Sequence, residues 1–480
     1  MREEATLQAG PAQVAARLDR LPITRRHRAG VVTVGLGLFF DMYEIFMSGV
    51  LGAVLADEFR LGRTATSTVL ASAFIGMFLG VVVMGRLADR FGRRVCLLAS
   101  IGIYATFSLV GAASVNAPML IAARFLAGVG IGPELPLADA YLSDLLPARF
   151  RGRYTAWAYT VSFLGVPTVG LMAHWLVPVS PLGLAGWRWL FLIGAAGGFC
   201  VLLLRRHLIE SPRWLASVGR TEEAERVLRG LEDGAGLPRS PALAVSHAPV
   251  TRHTPEARPS LTPAHRRRAA MMAVFHLLQG IGFYGFGTMA PLVLAAKGFS
   301  IVHSLLFSAV TFFGYPLGSL ASIPLIERME RKYLIVGTAL AMAGAGLAFG
   351  HAQDKVTIMV AGLCYTAVSN VFSNAYHVYQ AEIFPTALRA TAIGWTYSLS
   401  RVTSAVMPFA MVPFLNRFGS GTLFAVVAAA MTVIAVDIGV LGPTANGRSL
   451  EEVNEPAGAI RRSTPGHERR ADGPRPRIRP

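Results

Sequence analysis

Asp41 and Glu44 sit in the stretch "FFDMYEIFMSGV" (residues 39–50), inside an apolar run from Val31 to Leu55. The run is long enough to cross a bilayer, since a spanning helix needs ~20 residues. An ionised carboxylate at that depth costs at least ~2.5–3.5 kcal/mol on insertion scales. Asp41 would lie ~15 Å into its helix at the helical rise, with Glu44 three residues on and on the same face. Desolvation favours the protonated form of such a group, whereas the ionised form needs a cation or water. A carboxylate whose water access changes sides can therefore load and release a proton; the alternative is a structural pair bonded to neighbouring helices.

Other ionisable residues fall in similar surroundings. Glu134 follows Gly128, Gly130 and Gly132, small residues that let a second helix approach closely. On its own surroundings it reads as a carboxylate satisfied by the backbone or by an arginine. Asp139, nearer the helix end, reads as structural. Arg124 is a partner for Asp41 or Glu44 and a candidate anion contact. Arg401 would lie ~16 Å into its own helix and cannot be neutralised by losing a proton. It needs an anion, either a substrate or one of Asp41, Glu44 and Glu134. Asn370, Asn374 and His377 share one helix face at steps of four and three. With His276, Gln279 and Tyr284 of the seventh span they are candidate substrate contacts, and Trp157, Trp395 and Tyr397 are candidates for flat apolar walls, with Trp395 also a candidate contact. Tyrosine and tryptophan in such helices also serve as packing or interfacial anchors.

The elements that position these groups follow from composition. The 480 residues are 53% hydrophobic and 15% charged, too little charge for a soluble protein of this size. Twelve apolar spans are expected at 31–55, 66–88, 95–114, 117–142, 153–178, 187–205, 269–294, 301–326, 333–350, 356–382, 390–416 and 421–442. No removable signal peptide is visible in the first thirty residues. The net charge of +17 is not spread as nucleic-acid binding would need. Arginines cluster before the first span and in every second loop, and the alternate loops are short and nearly neutral. This positive-inside pattern puts both termini and the central loop in the cytoplasm. Cys96, Cys200 and Cys364 lie in apolar segments with no pairing pattern, so three buried free thiols are expected. No phosphate-cradling loop, metal-ligand cluster or catalytic triad is evident; no cofactor, metal or enzymatic activity is expected.

The organisation is a cytoplasmic segment 1–30, a six-helix bundle 31–205, a central loop 206–268, a second bundle 269–442 and a polar tail 443–480. The loop opens with amphipathic spacing in "ESPRWLASVGRTEEAERVLRGLED" and becomes Pro/Ser/Ala-rich, which reads as disordered, like the tail. The bundles repeat. Asp89 matches Glu327, Pro147 matches Pro385 and Arg151 matches Arg389, all at one common offset. Parallel repeats of this kind put a substrate site between them near the midplane and alternate its access by rocking.

"GRLADRFGRR" (85–94), "RFLAGVGIGPELP" (124–136) and "ESPRWL" (210–215) resemble the signature segments of the major facilitator superfamily, in particular its sugar-porter-like and metabolite or aromatic-acid symporter branches. The resemblance covers about 30–442 and implies an all-α membrane fold of two pseudo-symmetric six-helix bundles. It implies gating roles for Gly85, Asp89, Arg90, Gly92, Arg93 and Arg94, joined by Asp144 and Arg151, and in the second half for Glu327, Arg328, Arg331, Glu382 and Arg389. The second signature loop, "IERMERK", lacks the glycines. The first-span acidic pair and "SLSRVTSAVMP" resemble segments of aromatic-acid carriers, in which an arginine at the place of Arg401 contacts the anion, and the resemblance offers Glu134 as a third proton-coupling site, since similar symporters carry an acidic residue there.

The expected protein is thus a monomeric, proton-coupled importer of a small organic anion in the cell membrane. Its partners would be the substrate, protons and lipid, without nucleic acid. Uptake of a neutral sugar-like metabolite, drug export and a non-transporting nutrient sensor are the alternatives.

Overall fold

A computed structural model describes residues 13–14, 16–236, 262–384 and 386–444. The side chains of Asp89, Glu327, Arg389 and Trp395, named above, lie outside what is described, as do residues 237–261 of the central loop and the tail from 445. Among the described residues the chain is helical, and eleven helices are long and apolar enough to cross a membrane.

In the first bundle the spans are Arg25–Glu58, Arg63–Phe91, Arg93–Ala112, a fourth broken into Ala117–Ile131 and Glu134–Leu145, Ala148–Leu176 and Gly186–Arg205. The second bundle repeats them as Pro263–Ala296, an eighth broken into Ile301–Phe312 and Gly314–Arg328, Arg331–His351, Lys355–Glu382 and Thr386–Leu441. The last helix doubles back at Gly419, whose φ of 78° suits glycine alone. Beyond that turn the Ser420 hydroxyl donates to Gly350 O (2.9 Å) at one end of the bundle. The Tyr379 hydroxyl donates to Pro443 O (2.9 Å) at the other. The chain therefore crosses twice there, and the twelve expected spans are present.

Local chemistry starts these helices. Thr24 and His27 form a reciprocal cap on the first span, with Thr24 N–H donating to His27 Nδ1 (3.1 Å). Asn116 caps the fourth span by accepting from Met119 N–H (2.9 Å), and Asp354 the tenth by accepting from Thr357 N–H (2.8 Å). Pro133, which has no N–H, divides the fourth span just before Glu134.

Glycines set the packing of each bundle. A Cβ on Gly76, Gly80, Gly128 or Gly132 would strike the backbone of the facing helix, so the second and fourth spans lie in direct contact. Gly314 and Gly318 bring the eighth and tenth spans together in the same way.

The two bundles meet along the span pairs 1–7, 2–11 and 5–8. Gly49 lies on the backbone of Gly287 and Thr288. Ser67 Oγ donates to Pro408 O (3.1 Å), and His174 Nδ1 approaches Val302 O (3.3 Å). Nearer the middle, Thr160 Oγ1 meets Ser319 Oγ (3.3 Å), and the Phe163 and Tyr315 rings stack 6.1 Å apart. These contacts concentrate in the middle and at the end away from the termini.

At the terminal end, helices Pro212–Ser217 and Thr221–Ala235 pack with residues 13–14 and 16–20 around Val14, Leu18, Trp214, Leu228 and Leu231. Buried Arg17 pins this small core by pairing with Glu225 (2.7 Å) and Glu232 (2.8 Å).

One expectation is corrected. Cys96 is buried, but Cys200 and Cys364 are exposed, and all three are free. An apolar span has a lipid-facing side as well as an inner one, and hydrophobicity alone does not separate them. The glycine contacts predict that Gly128→Val destabilises the detergent-purified protein by about 1–3 kcal/mol or more. A thermal unfolding curve unchanged from wild type would contradict the packing described.

Candidate functional site

The first bundle holds two buried charge clusters. In one, Arg124 Nη1 donates to Glu44 Oε1 (2.5 Å), and Nη2 to Glu44 O (3.0 Å) and to the Ser48 hydroxyl. Ser108 Oγ donates to the same Glu44 oxygen (3.2 Å). The expected partnership of Arg124 with a first-span carboxylate is therefore made with Glu44.

In the other cluster Arg205, fully buried at the end of the sixth span, forms an ion pair with Glu134 and donates to Leu97 O (3.1 Å). Its guanidinium fits only because residue 37 is glycine: a Cβ there would overlap it. Asp41 lies one turn beyond Gly37. It is buried, its Oδ2 has no hydrogen-bond partner, and it interacts electrostatically with Glu134, Arg205 and Glu44. Among the described residues, the buried charged side chains of these six spans are three carboxylates and two guanidinium groups, and the buried carboxylate without an ion-paired arginine is Asp41.

The second bundle carries the opposite imbalance. Arg401 is buried, donating from Nη1 to Tyr284 OH (3.0 Å) and from Nη2 to Tyr397 OH (2.7 Å). It lies 5.2 and 5.0 Å from the centroids of those two rings, within cation–π range. Its Nε has no partner, and among the described residues no carboxylate is within ion-pair distance. Tyr284 meets Phe74 of the first bundle (5.6 Å between ring centroids), so this cation sits where the bundles face each other.

Beside it, His276 Nε2 contacts Gln380 Oε1 (3.1 Å), and Gln380 Nε2 contacts His377 Nδ1 (3.3 Å). The amide oxygen only accepts and the amide nitrogen only donates. Gln380 therefore sets both tautomers, leaving His276 Nδ1 a bare acceptor and His377 Nε2 a donor. His276 Nδ1 and Gln279 Oε1, three residues apart on the seventh span, are buried without partners. Both histidine rings approach Tyr397, at 5.6 and 6.1 Å. Asn370 and Asn374 instead hold the tenth span to the eighth, through Tyr315 O (2.5 Å) and Ser322 Oγ (2.7 Å). Trp157 is exposed, and Asp139 accepts from Tyr159 OH (2.6 Å).

At the terminal end, Gly92 adopts φ 102°, and a Cβ there would meet the Glu210 carboxylate. Glu210 Oε1 accepts from the N–H groups of Arg93 and Arg94 (3.2 Å each), a carboxylate on a helix N-terminus. Arg93 Nε is 4.0 Å from Asp144, which also accepts from Ser211 Oγ (3.0 Å). In the second bundle Arg331 pairs with Glu382 (3.4 Å). These contacts bring Arg93, Arg94 and Asp144 together with "ESPRWL", and the two described ion pairs, Arg93 with Asp144 and Arg331 with Glu382, each lie within one bundle. Arg90 and Arg328 are exposed on the same surface.

Arg205, Gln380 and Glu210 are the residues that sequence reasoning left without a role. Arg205 precedes Arg206 at the end of an apolar span and resembles an interfacial anchor.

A family model described as Major Facilitator Superfamily matches residues 34–408. The chain belongs to that superfamily. It is therefore a multi-pass membrane transporter of small molecules rather than an enzyme. The niacin transporter NiaP of Acinetobacter baylyi is 28% identical over 443 residues, covering 92% of this chain and 99% of the relative. The gentisate transporter of Corynebacterium glutamicum is 28% identical over 397 residues, covering 82% of each. A partially occluded inward-open structure of the xylose transporter XylE from E. coli superposes with a TM-score of 0.73 at 21% identity, covering 88% of this chain and 99% of that one; this likeness concerns the fold.

For this major facilitator protein the clusters predict a specific pattern of stability. Arg205→Gln strands Glu134 in an apolar interior and should cost about 3–5 kcal/mol, whereas the double variant Arg205→Gln/Glu134→Gln should recover much of the loss. Detergent thermal unfolding reads both. A double variant no more stable than Arg205→Gln would contradict the pairing.

Proposed function

We propose that the chain is a proton-coupled carrier that takes up a small organic monoanion, one proton with one anion. The observation that carries this is the split of charge among the described residues with buried side chains in the spans: one carboxylate in excess in the first bundle, one guanidinium in excess in the second. A rocking carrier must pass through a state in which its centre is shut off from water. The charges there must cancel within each bundle or between them. An anion on Arg401 neutralises the second bundle, and a proton on Asp41 neutralises the first. The empty carrier returns with Asp41 ionised and Arg401 bare, again with no net charge. Once the anion cancels the charge of Arg401, the occluded carrier is neutral only with a proton on Asp41, which ties proton loading to substrate loading. A neutral cargo carried with a proton on Asp41 would leave Arg401 uncompensated in the loaded state.

The aromatic surround of Arg401, with Tyr284, Tyr397, His276 and His377, fits a flat acid. The relatives named for niacin and gentisate support an aromatic carboxylate. The bare acceptors His276 Nδ1 and Gln279 Oε1 favour an acid that also carries a hydroxyl or N–H. With the termini cytoplasmic, as the arginine distribution argues, the bundle contacts at the far end describe a carrier closed to the outside.

Uptake into proteoliposomes should rise when the outside is made acidic, and Arg401→Gln should abolish it; uptake indifferent to the pH gradient would defeat the coupling. Asp41→Asn should keep exchange of labelled for unlabelled substrate but lose accumulation. Equal loss of exchange and accumulation would remove Asp41 from proton handling.

A further inference from the structure

Asp139 stands in the half of the fourth span toward the termini, six residues before Leu145 and so ~9 Å from that end of the helix. Its side chain is exposed. One oxygen, Oδ1, accepts from Tyr159 OH of the fifth span (2.6 Å). Among the described residues the other oxygen has no hydrogen-bond partner, and no cation lies within ion-pair distance. Exposure on a membrane-spanning helix is to lipid or to a crevice inside the protein, and here the neighbours decide. Asp139 interacts electrostatically with Tyr397, and Tyr159 with Tyr397 and Tyr376. Both partners belong to the second bundle, so this carboxylate opens on the crevice between the bundles.

The same tyrosine joins Asp139 to Arg401. Tyr397 OH accepts from Arg401 Nη2 (2.7 Å), and Tyr397 is half-buried, one helical turn from Arg401 toward the termini. The facing walls of the crevice thus carry opposite charges. A guanidinium lies deep in the second bundle, a carboxylate nearer the mouth in the first, and an aromatic ring between them. Open to water, Asp139 is solvated and stands outside the balance of buried charge. A solute with its carboxylate on Arg401 lies along Tyr397 and brings its far end toward Asp139. A carboxylate there attracts a donor and repels a second anion, and like charges between protein walls oppose each other more strongly than in bulk water.

We propose that Asp139 selects the far end of the cargo: it accepts from a hydroxyl or N–H there and rejects a second carboxylate. Tyr159 holds the group by Oδ1 and leaves Oδ2 for the donor. This role rests on Arg401 being the seat of the anion, and it deepens that reading. Exclusion of dianions keeps one proton matched with one negative charge. Arg401 alone would hold a dianion as readily as a monoanion, so discrimination needs a repulsive element on the opposite wall.

The test is uptake of benzoate, 4-hydroxybenzoate and terephthalate by proteoliposomes of the full chain, over protein-free vesicles. The last two are each read as a ratio to benzoate, whose far end is bare, so that differences in the amount of folded carrier cancel. Wild type should take 4-hydroxybenzoate above benzoate and terephthalate below it, each by about tenfold in kcat/KM. Asp139→Asn keeps an acceptor for Tyr159 and removes the charge; it should lose most of the rejection of terephthalate and lower the preference for the hydroxyl. Asp139→Ser, a second neutral variant, should do the same, and Asp139→Glu should keep terephthalate out. Ratios unchanged in both neutral variants would leave Asp139 a structural residue and overturn the proposal. So would a wild type that takes terephthalate as well as benzoate. In either case benzoate uptake abolished by Arg401→Gln would leave the anion seat standing. Benzoate uptake that survives Arg401→Gln, or a wild type that moves none of the three acids, would remove that seat and the proposal together.

Discussion

Charge placed in hydrocarbon must be cancelled within a few ångströms, and the interior of this protein is arranged around that constraint. Glu44 with Arg124 and Glu134 with Arg205 are pairs that meet it by themselves. Asp41 and Arg401 are left over, one in each bundle. Neither has a direct partner of opposite charge, and the two leave the interior neutral only when counted together. A group that lacks a fixed partner is the one whose state can change during transport. Paired groups hold the scaffold; the unpaired two supply its ion chemistry.

The fold serves this by rigid bundles and a narrow set of contacts between them. Glycines at 76, 80, 128 and 132 press the second and fourth spans together, so Arg124 and Glu134 are carried on a stiff support. Gly37 makes room for the Arg205 guanidinium beside Asp41. Between bundles the contacts are small residues and aromatic rings, which slide and separate at little loss of hydrogen bonding. The terminal side is organised differently: Glu210 reaches from the loop after the sixth span to cap the third, through a turn at Gly92 that only glycine adopts readily. That cap ties the loop helices and the Arg17 core to the first bundle, so they move as one piece.

Much of this was legible in the sequence, for a physical reason. A charge in an apolar run stands out against its surroundings, which exposed Asp41, Glu44, Arg124, Glu134 and Arg401. The apolar runs marked the twelve spans, and the repeat with the signature segments marked their division into two bundles. Arg205 was hidden because a buried guanidinium at the end of a span has the same local sequence as a solvated anchor. The Gln380 bridge between two histidines needs the seventh and tenth spans side by side, a contact that no local pattern encodes. Asn370 and Asn374 do share a face, as their spacing says, yet that face meets the eighth span. The exposure of Cys200 and Cys364 was misread because lipid and protein core are equally apolar.

The most direct measurement of the central claim is the charge carried per transport cycle. Proteoliposomes on a solid-supported membrane, given a transported monocarboxylate, report current, while an internal dye reports proton entry. The balance between Asp41 and Arg401 predicts proton entry with no sustained current, and a rate unchanged when a potassium diffusion potential is imposed. A potential of 100 mV acting on one net charge would contribute ~2.3 kcal/mol, so a sustained current or a rate that follows the potential would contradict the account.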